Sequence, residues 1–304
     1  MADKPNVTSA PFYFQGAWFL CPPVSPRGLE QVESFEVRDD DVFVSAFKKS
    51  GTTWTQQIVS LVTTGSNFSE VSKIPVYKRV PYMERMDLSG GPDAPPIISL
   101  LKDRPSPRLM KTHLPYNMLP RQAREGKGKI VYCARNPKDV VVSVHNMSLM
   151  HDLHHPSPWE ETLDNFISQP PQNSWWNVIP EYWSHRDDRN FLFVKYEDMK
   201  KDLRGHVVKI VEFLGRNLTA EQVDEVTANC TFTAMKENPA TNMSRDPLMQ
   251  EKLFKRGKEK GIEFVRKGKV GDWRNWFSPQ QLEKFEAVHR EKMAGTDLTF
   301  EDEE

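Results

Sequence analysis

The sequence predicts an α/β fold: a single domain with a central parallel sheet flanked by helices and a P-loop-like anion-binding loop. Three observations predict it. Short apolar, β-favouring runs stand at 42–47, 129–134 and 190–194, and each hands over to polar residues and then to apolar positions at helical spacing. Strand–helix units repeated this way imply right-handed crossovers, with helices on both faces of a parallel sheet. Between the first run and its helix lies Lys49-Ser50-Gly51-Thr52-Thr53, small, hydroxylated and basic, where Gly51 lets main-chain N–H groups approach a ligand. A helix N-terminus carries free donors and partial positive charge, so the loop suits phosphate or sulfate. An ordinary Ser/Thr-rich helix cap is the alternative on these residues alone.

Bulk properties bound the rest. One domain spanning 1–304 has ample length for a buried core, with 1–10 and 296–304 expected to be flexible. Lysine plus arginine number 41 against 42 acidic residues, so no global field draws the chain to nucleic acid or membrane, and any basic site is local. The three cysteines, Cys21, Cys133 and Cys230, are odd in number and widely spaced, which fits a reducing compartment and neither a disulfide framework nor a zinc site. With no apolar signal core at the N-terminus and no run near the ~20 apolar residues of a membrane span, a cytoplasmic protein is expected. Six Asn-x-Ser/Thr triplets then read as chance.

In chain order, 11–20 is unusually aromatic and either lies over the core or lends rings such as Phe14 and Trp18 to a pocket. The anion loop and its helix follow. A Walker A loop needs lysine after its second glycine, whereas Lys49 precedes Gly51. Prolines scattered over 72–107 forbid long helices, and Tyr77, Tyr82 and Met83 there could face a substrate. The stretch 108–115 gives a short strand that ends in polar residues, Lys111-Thr112-His113 among them. Ligands gather at the carboxyl ends of parallel strands, where a histidine could take a proton from a hydroxyl, although a lone histidine in that place is more often structural. The 129–134 strand leads through Arg135 and Pro137 into a helix carrying Ser143, both within reach of one phosphate. His151, His154 and His155 lack a second ligand group at metal spacing and read as a loop. Trp175, Trp176 and Trp183 read as packing. The third strand ends in Tyr196-Glu197-Asp198, with a helix at 203–214. A basic stretch at 252–260 is a candidate lid or a solvated charge run, and Arg266-Lys267-Gly268 places two cations where backbone can approach a phosphate.

Six stretches resemble the cytosolic sulfotransferase family, in the family's order: K-S-G-T-T-W from Lys49, K-T-H-L from Lys111, Y-C-A-R-N-P-K-D-V-V-V-S from Tyr132, Y-E-D from Tyr196, T-F-T-A-M-K from Thr231, and R-K-G-x-x-G-D-W from Arg266. The likeness runs from about 35 to 285. It implies 3′-phosphoadenosine 5′-phosphosulfate (PAPS) as donor, PAP as product, no metal, and a small-molecule acceptor such as a phenol, alcohol, sterol or amine. By the same resemblance, Lys49 and the amides of Ser50, Gly51, Thr52 and Thr53 hold the phosphosulfate. Trp54, Phe232 and Phe264 flank the adenine near Tyr196, Cys230, Thr231 and Met235, while Arg135, Ser143, Arg266, Lys267 and Gly268 take the 3′-phosphate. His113 is the expected base, Lys49, Lys111 and Ser143 assist, and Phe14, Trp18, Tyr77, Tyr82, Met83, Met147 and His151 are acceptor-pocket candidates.

The chain departs from the family pattern in three places. Lys48 replaces a proline before the loop lysine, adding charge and loosening the loop. The dimer motif is degenerate over 274–283, with Pro279 removing a backbone donor, so a monomer or weak homodimer is expected. Tyr82, Arg85, Met147 and His151 stand at or near positions where phenylalanine is common, which makes the pocket rim more polar. A catalytically inactive PAPS- or nucleotide-binding protein and a P-loop kinase are the competing readings.

Overall fold

The computed structural model describes residues 10–21, 23–65, 67–87 and 94–301, so the loose ends expected at 1–9 and 302–304 lie outside the described residues. A hairpin of β1 (Ala10–Phe14) and β2 (Ala17–Cys21) precedes a four-stranded sheet of β3 (Val42–Ala46), β4 (Leu109–Thr112), β5 (Lys129–Ala134) and β6 (Phe191–Lys195). The four strands are parallel and ordered β4-β3-β5-β6, with Val42 opposite both Leu109 and Lys129. The chain leaves β3 for one neighbour and later returns to its other side. The strand order therefore reverses between β3 and β5, the place where open α/β sheets bind ligands at their carboxyl ends.

Side chains alternate across the sheet with a period of two. Phe43, Ile130, Tyr132 and Phe191 pack with Trp175 and Tyr182 of the helix Trp175–Ser184. Val44, Val131, Cys133 and Val194 face Ile58 and Leu61 of the helix Thr52–Thr64 and Val207 and Ile210 of the helix Leu203–Leu214. Burial on both faces explains why the strands read as nearly continuous apolar runs. At the other end of the sheet, Arg108 and Asp41 form a buried two-pronged pair, Nε to Oδ1 at 2.8 Å and the terminal nitrogen to Oδ2 at 2.5 Å.

Several expectations change on folding. The aromatic 11–20 stretch is a hairpin whose turn uses left-handed Gln15 and Gly16, and Asn173 clamps it by binding both the amide and the carbonyl of Trp18. Residues 296–301 of the expected flexible tail are seated: Leu298 is buried, Phe300 packs on Trp175, and Trp183 Nε1 donates to Asp297 Oδ1 at 2.6 Å. Pro279 opens the helix Pro279–Met293 as its first residue behind the Ser278 cap, where a missing N–H costs nothing. The basic stretch folds into two short helices, Pro247–Leu253 and Lys255–Lys260, tethered where Arg256 donates to the carbonyls of His151 and His154 at 2.6 and 2.8 Å. Among the described residues no helix is long and apolar enough to cross a membrane.

Candidate functional site

A cavity of about 550 Å³ opens over the carboxyl ends of β3, β4 and β5. Its floor is the loop between β3 and the Thr52–Thr64 helix. Lys49 has φ 68° and Gly51 φ 102°. A side chain at 51 would press on Tyr196 at 2.9 Å and the Cys133 sulfur at 3.1 Å, so only glycine fits. A helix leaves its first amides without intrahelical acceptors, and no side chain caps them here. Held left-handed, Lys49 joins these amides at the cavity wall. Burial, with the nearby charges of Lys111, Arg135 and Arg266, draws its ammonium down to about 7.

His113 stands just beyond β4. Its Nδ1 lies 2.6 Å from the Ala46 carbonyl, which only accepts, so Nδ1 carries the proton and Nε2 keeps its lone pair. Burial first, and then Lys111, hold the ring well below the usual histidine pKa, so it is a neutral imidazole. Glu84 fixes the backbone beneath it, accepting from the His113 amide at 2.7 Å and the Thr112 hydroxyl at 3.2 Å. Burial pushes the Glu84 carboxyl up to about 7. Lys111, lowered to about 8 mainly by burial, lies over the Tyr82 ring at 4.3 Å.

A second cationic group faces the loop. Arg135 packs over Tyr196 at 4.3 Å and donates to the Lys269 carbonyl, while its buried Nε has no hydrogen-bond partner. Asp272 receives Arg266 at 2.6 Å and Lys267 at 2.7 Å. Burial opposes its ionisation, yet those hydrogen bonds hold its carboxyl at about 2. Asp139, in the first turn of the helix Pro137–Met150, accepts from the amides of Gly271 and Trp273 at 2.9 and 3.1 Å and so pins this segment to the helix. At Gly268, φ 61°, a Cβ would overlap the Phe232 ring.

The cavity gathers Lys49, Gly51, Thr52, Thr53, Trp54, Lys111, His113, Arg135, Ser143, Tyr196, Cys230, Phe232, Met235, Phe264, Arg266, Lys267 and Gly268, together with Trp18, Tyr82, Met147 and His151. Five expected residues stay off its wall. The Ser50 hydroxyl is buried without a partner, and Thr231 is spent capping the helix Phe232–Glu237. Met83 is wholly buried in the main core, Phe14 packs on that core, and Tyr77 joins the Met150, Met249 and Phe254 cluster. The sequence reading missed Glu84, Asp139 and Asp272. The available signal was an acid standing within a few residues of the basic residues of the same stretch, Glu84 beside Arg85, Asp139 after Arg135 and Lys138, and Asp272 after Arg266 and Lys267. Among the described residues no group of three or more His, Cys, Asp or Glu side chains could hold a metal ion.

A family described as the sulfotransferase domain matches residues 39–297. The chain is 38% identical over 276 residues to mouse sulfotransferase 1A1, covering 90% of this chain and 91% of the relative. It superposes on retinol dehydratase in a complex with retinol and PAP with a TM-score of 0.82, at 28% identity over 97% of this chain and 92% of that one. For mouse sulfotransferase SULT7A1 complexed with PAP, the TM-score is 0.74 at 28% identity, over 94% and 96% of the two chains.

Proposed function

The chain belongs to the sulfotransferase family, and on that premise we propose that it transfers the sulfuryl group of PAPS to a hydroxyl or amine of a small molecule, with His113 as general base. The observation that carries this reading is a neutral imidazole, its Nδ1 proton given to Ala46, in one cavity with an uncapped helix N-terminus and Lys49.

When bound, PAPS supplies a sulfuryl group already activated on a phosphate leaving group. The residues need only position and neutralise, as in phosphoryl transfer. The amides from Gly51 to Thr53 and Lys49 hold the phosphosulfate and offset charge on the departing oxygen. Nε2 of His113 takes the acceptor's proton, its tautomer set by Ala46 and its backbone by Glu84. Arg135 fits an anion because its Nε is buried without a partner; with Ser143, Arg266 and Lys267 it holds the 3′-phosphate, and Gly268 leaves room for the Phe232 ring against the adenine. The odd, widely spaced cysteines support a reducing compartment and hence the cytoplasm, and the degenerate dimer stretch at 274–283 supports a monomer or weak homodimer.

The test is transfer of labelled sulfate from PAPS to a panel of phenols, sterols, alcohols and amines. His113→Ala should lower kcat by about 10²–10⁴-fold with PAP affinity retained, and Lys49→Ala should lower both. Tight PAP binding with no sulfated product anywhere in the panel would reduce the protein to a nucleotide binder.

A further inference from the structure

Arg85 is a cavity cation to which sulfuryl transfer gives no role. Its backbone is fixed on three sides: Arg85 forms an antiparallel bridge with Val24, its amide donates to the Tyr82 carbonyl, and its carbonyl accepts from Ile97. The side chain turns to the cavity wall beside Val24, Tyr82, Lys111 and His151. There Nε is buried without a hydrogen-bond partner, and among the described residues no carboxylate lies within ion-pair distance of the guanidinium. Tyr82, Asp87 and Tyr77 favour its charge only through space, against a burial that opposes it.

The neighbours cannot supply the missing anion. Glu84 is the single acid lining the cavity among the described residues; its Oε1 is engaged by the His113 amide and Thr112, and its Oε2, although buried without a partner, makes no hydrogen bond or ion pair with Arg85. Lys111 and His151 both feel Arg85 as a repelling charge. His151 accepts the Leu153 amide on Nδ1, which leaves a proton on Nε2 and makes the ring another donor. The nucleotide's phosphates have their own cations in Lys49, Arg135, Arg266 and Lys267. A half-buried guanidinium whose Nε is buried and unpaired, beside two further donors, is costly unless a ligand completes it, and a planar fork of N–H groups matches a carboxylate.

We propose that the acceptor is a hydroxylated carboxylic acid, bound with its carboxylate on Arg85 and its hydroxyl toward His113. The proposal rests on the sulfuryl-transfer reading and narrows its acceptor class.

The experiment uses phenols carrying a carboxylate on chains of one to three methylenes, each paired with its methyl ester. Both kcat/KM with PAPS and the dissociation constant on PAP-loaded protein are measured, for the native chain, Arg85→Met and Arg85→Lys. At one spacing or more the native protein should favour acid over ester by at least about tenfold, the scale of a hydrogen-bonded charge pair. Arg85→Met should abolish that ratio and Arg85→Lys keep part of it, with PAP binding in both variants showing the fold intact. Esters that react and bind as well as acids at every spacing would overturn the proposal while leaving sulfuryl transfer standing. An acid preference that survives Arg85→Met would overturn the assignment to Arg85. If other phenols are sulfated but neither partner of a pair is, the binding ratio alone decides, and an acid that binds no tighter than its ester refutes it. If nothing is sulfated at all, sulfuryl transfer itself fails, and the proposal falls with it.

Discussion

At the scale of single residues, backbone angles were the least legible part of the site and the most constraining. Nothing in R-K-G-x-x-G shows that Gly268 is left-handed and pressed against Phe232, a residue 36 positions earlier. An alanine there has to bear a left-handed conformation costing about 1–2 kcal/mol and displace the ring. Gly268→Ala should therefore weaken PAP binding by at least about tenfold, read by calorimetry, whereas an unchanged dissociation constant would show that Phe232 does not shape the nucleotide site. Lys49, Arg135 and His113 were readable because their types and order carry chemistry. Thr231 and Met83 turn away from the cavity for one reason: a motif names positions, but whether a side chain points into the cavity, caps a helix or enters the core depends on the local turn and the strand pairing.

At the scale of elements, the strands at 42–46, 129–134 and 191–195 were visible as apolar runs because both of their faces are buried. The β1–β2 hairpin was not, since its turn is Gln15-Gly16 and its partner is the distant side chain of Asn173. Two carboxylates that no periodicity could flag fasten elements together. Asp139 joins its helix to the segment bearing Arg266 and Lys267, and Asp139→Ala would orphan the amides of Gly271 and Trp273, at about 1–3 kcal/mol for each buried donor. Faster hydrogen exchange over 264–273, with the sheet still protected, is the expected result; exchange as slow as in the native protein would remove the staple from the account. Asp41 joins β3 to the residue before β4 through Arg108. Removing it strands a buried guanidinium, so Asp41→Ala should lose about 3–5 kcal/mol in urea unfolding, and Asp41→Leu with Arg108→Met should recover most of that. A loss under about 1 kcal/mol in the single variant would mean that water reaches the pair.

For the whole molecule, strand order could not be read from the sequence, yet it is the reversal between β3 and β5 that gathers Lys49, Lys111, Arg135 and Arg266 around one space. Such crowding sets how stability responds to pH. Lys49 and Lys111 are lowered to about 7 and about 8, chiefly by burial, against about 10.4 for an unfolded lysine. Between these limits the unfolded lysines bind more protons than the folded ones, so these two groups make the stability of the nucleotide-free protein rise with pH. Glu84 and Glu197, raised to about 7, act in the opposite sense until they are ionised about a unit above that pH, while the depressed His113, His151 and His154 act with the lysines only until the unfolded histidines, near 6.5, have lost their protons. Buried Cys133, raised to about 12, opposes the rise only above the unfolded thiol value of about 8.5. Across about pH 7.5 to 8.5 the lysines therefore dominate. In scanning calorimetry the melting temperature of the free protein should climb across that window. With saturating PAP the climb should flatten, because phosphates keep both ammonium groups charged in the folded state, and the stabilisation by PAP should be largest at the acid end. Lys49→Met should remove most of the slope from the free protein. A free-protein melting temperature that stays level or falls from about pH 7.5 to 8.5 would mean that these ammonium groups are not depressed, and that the cavity carries its full cationic charge without a ligand.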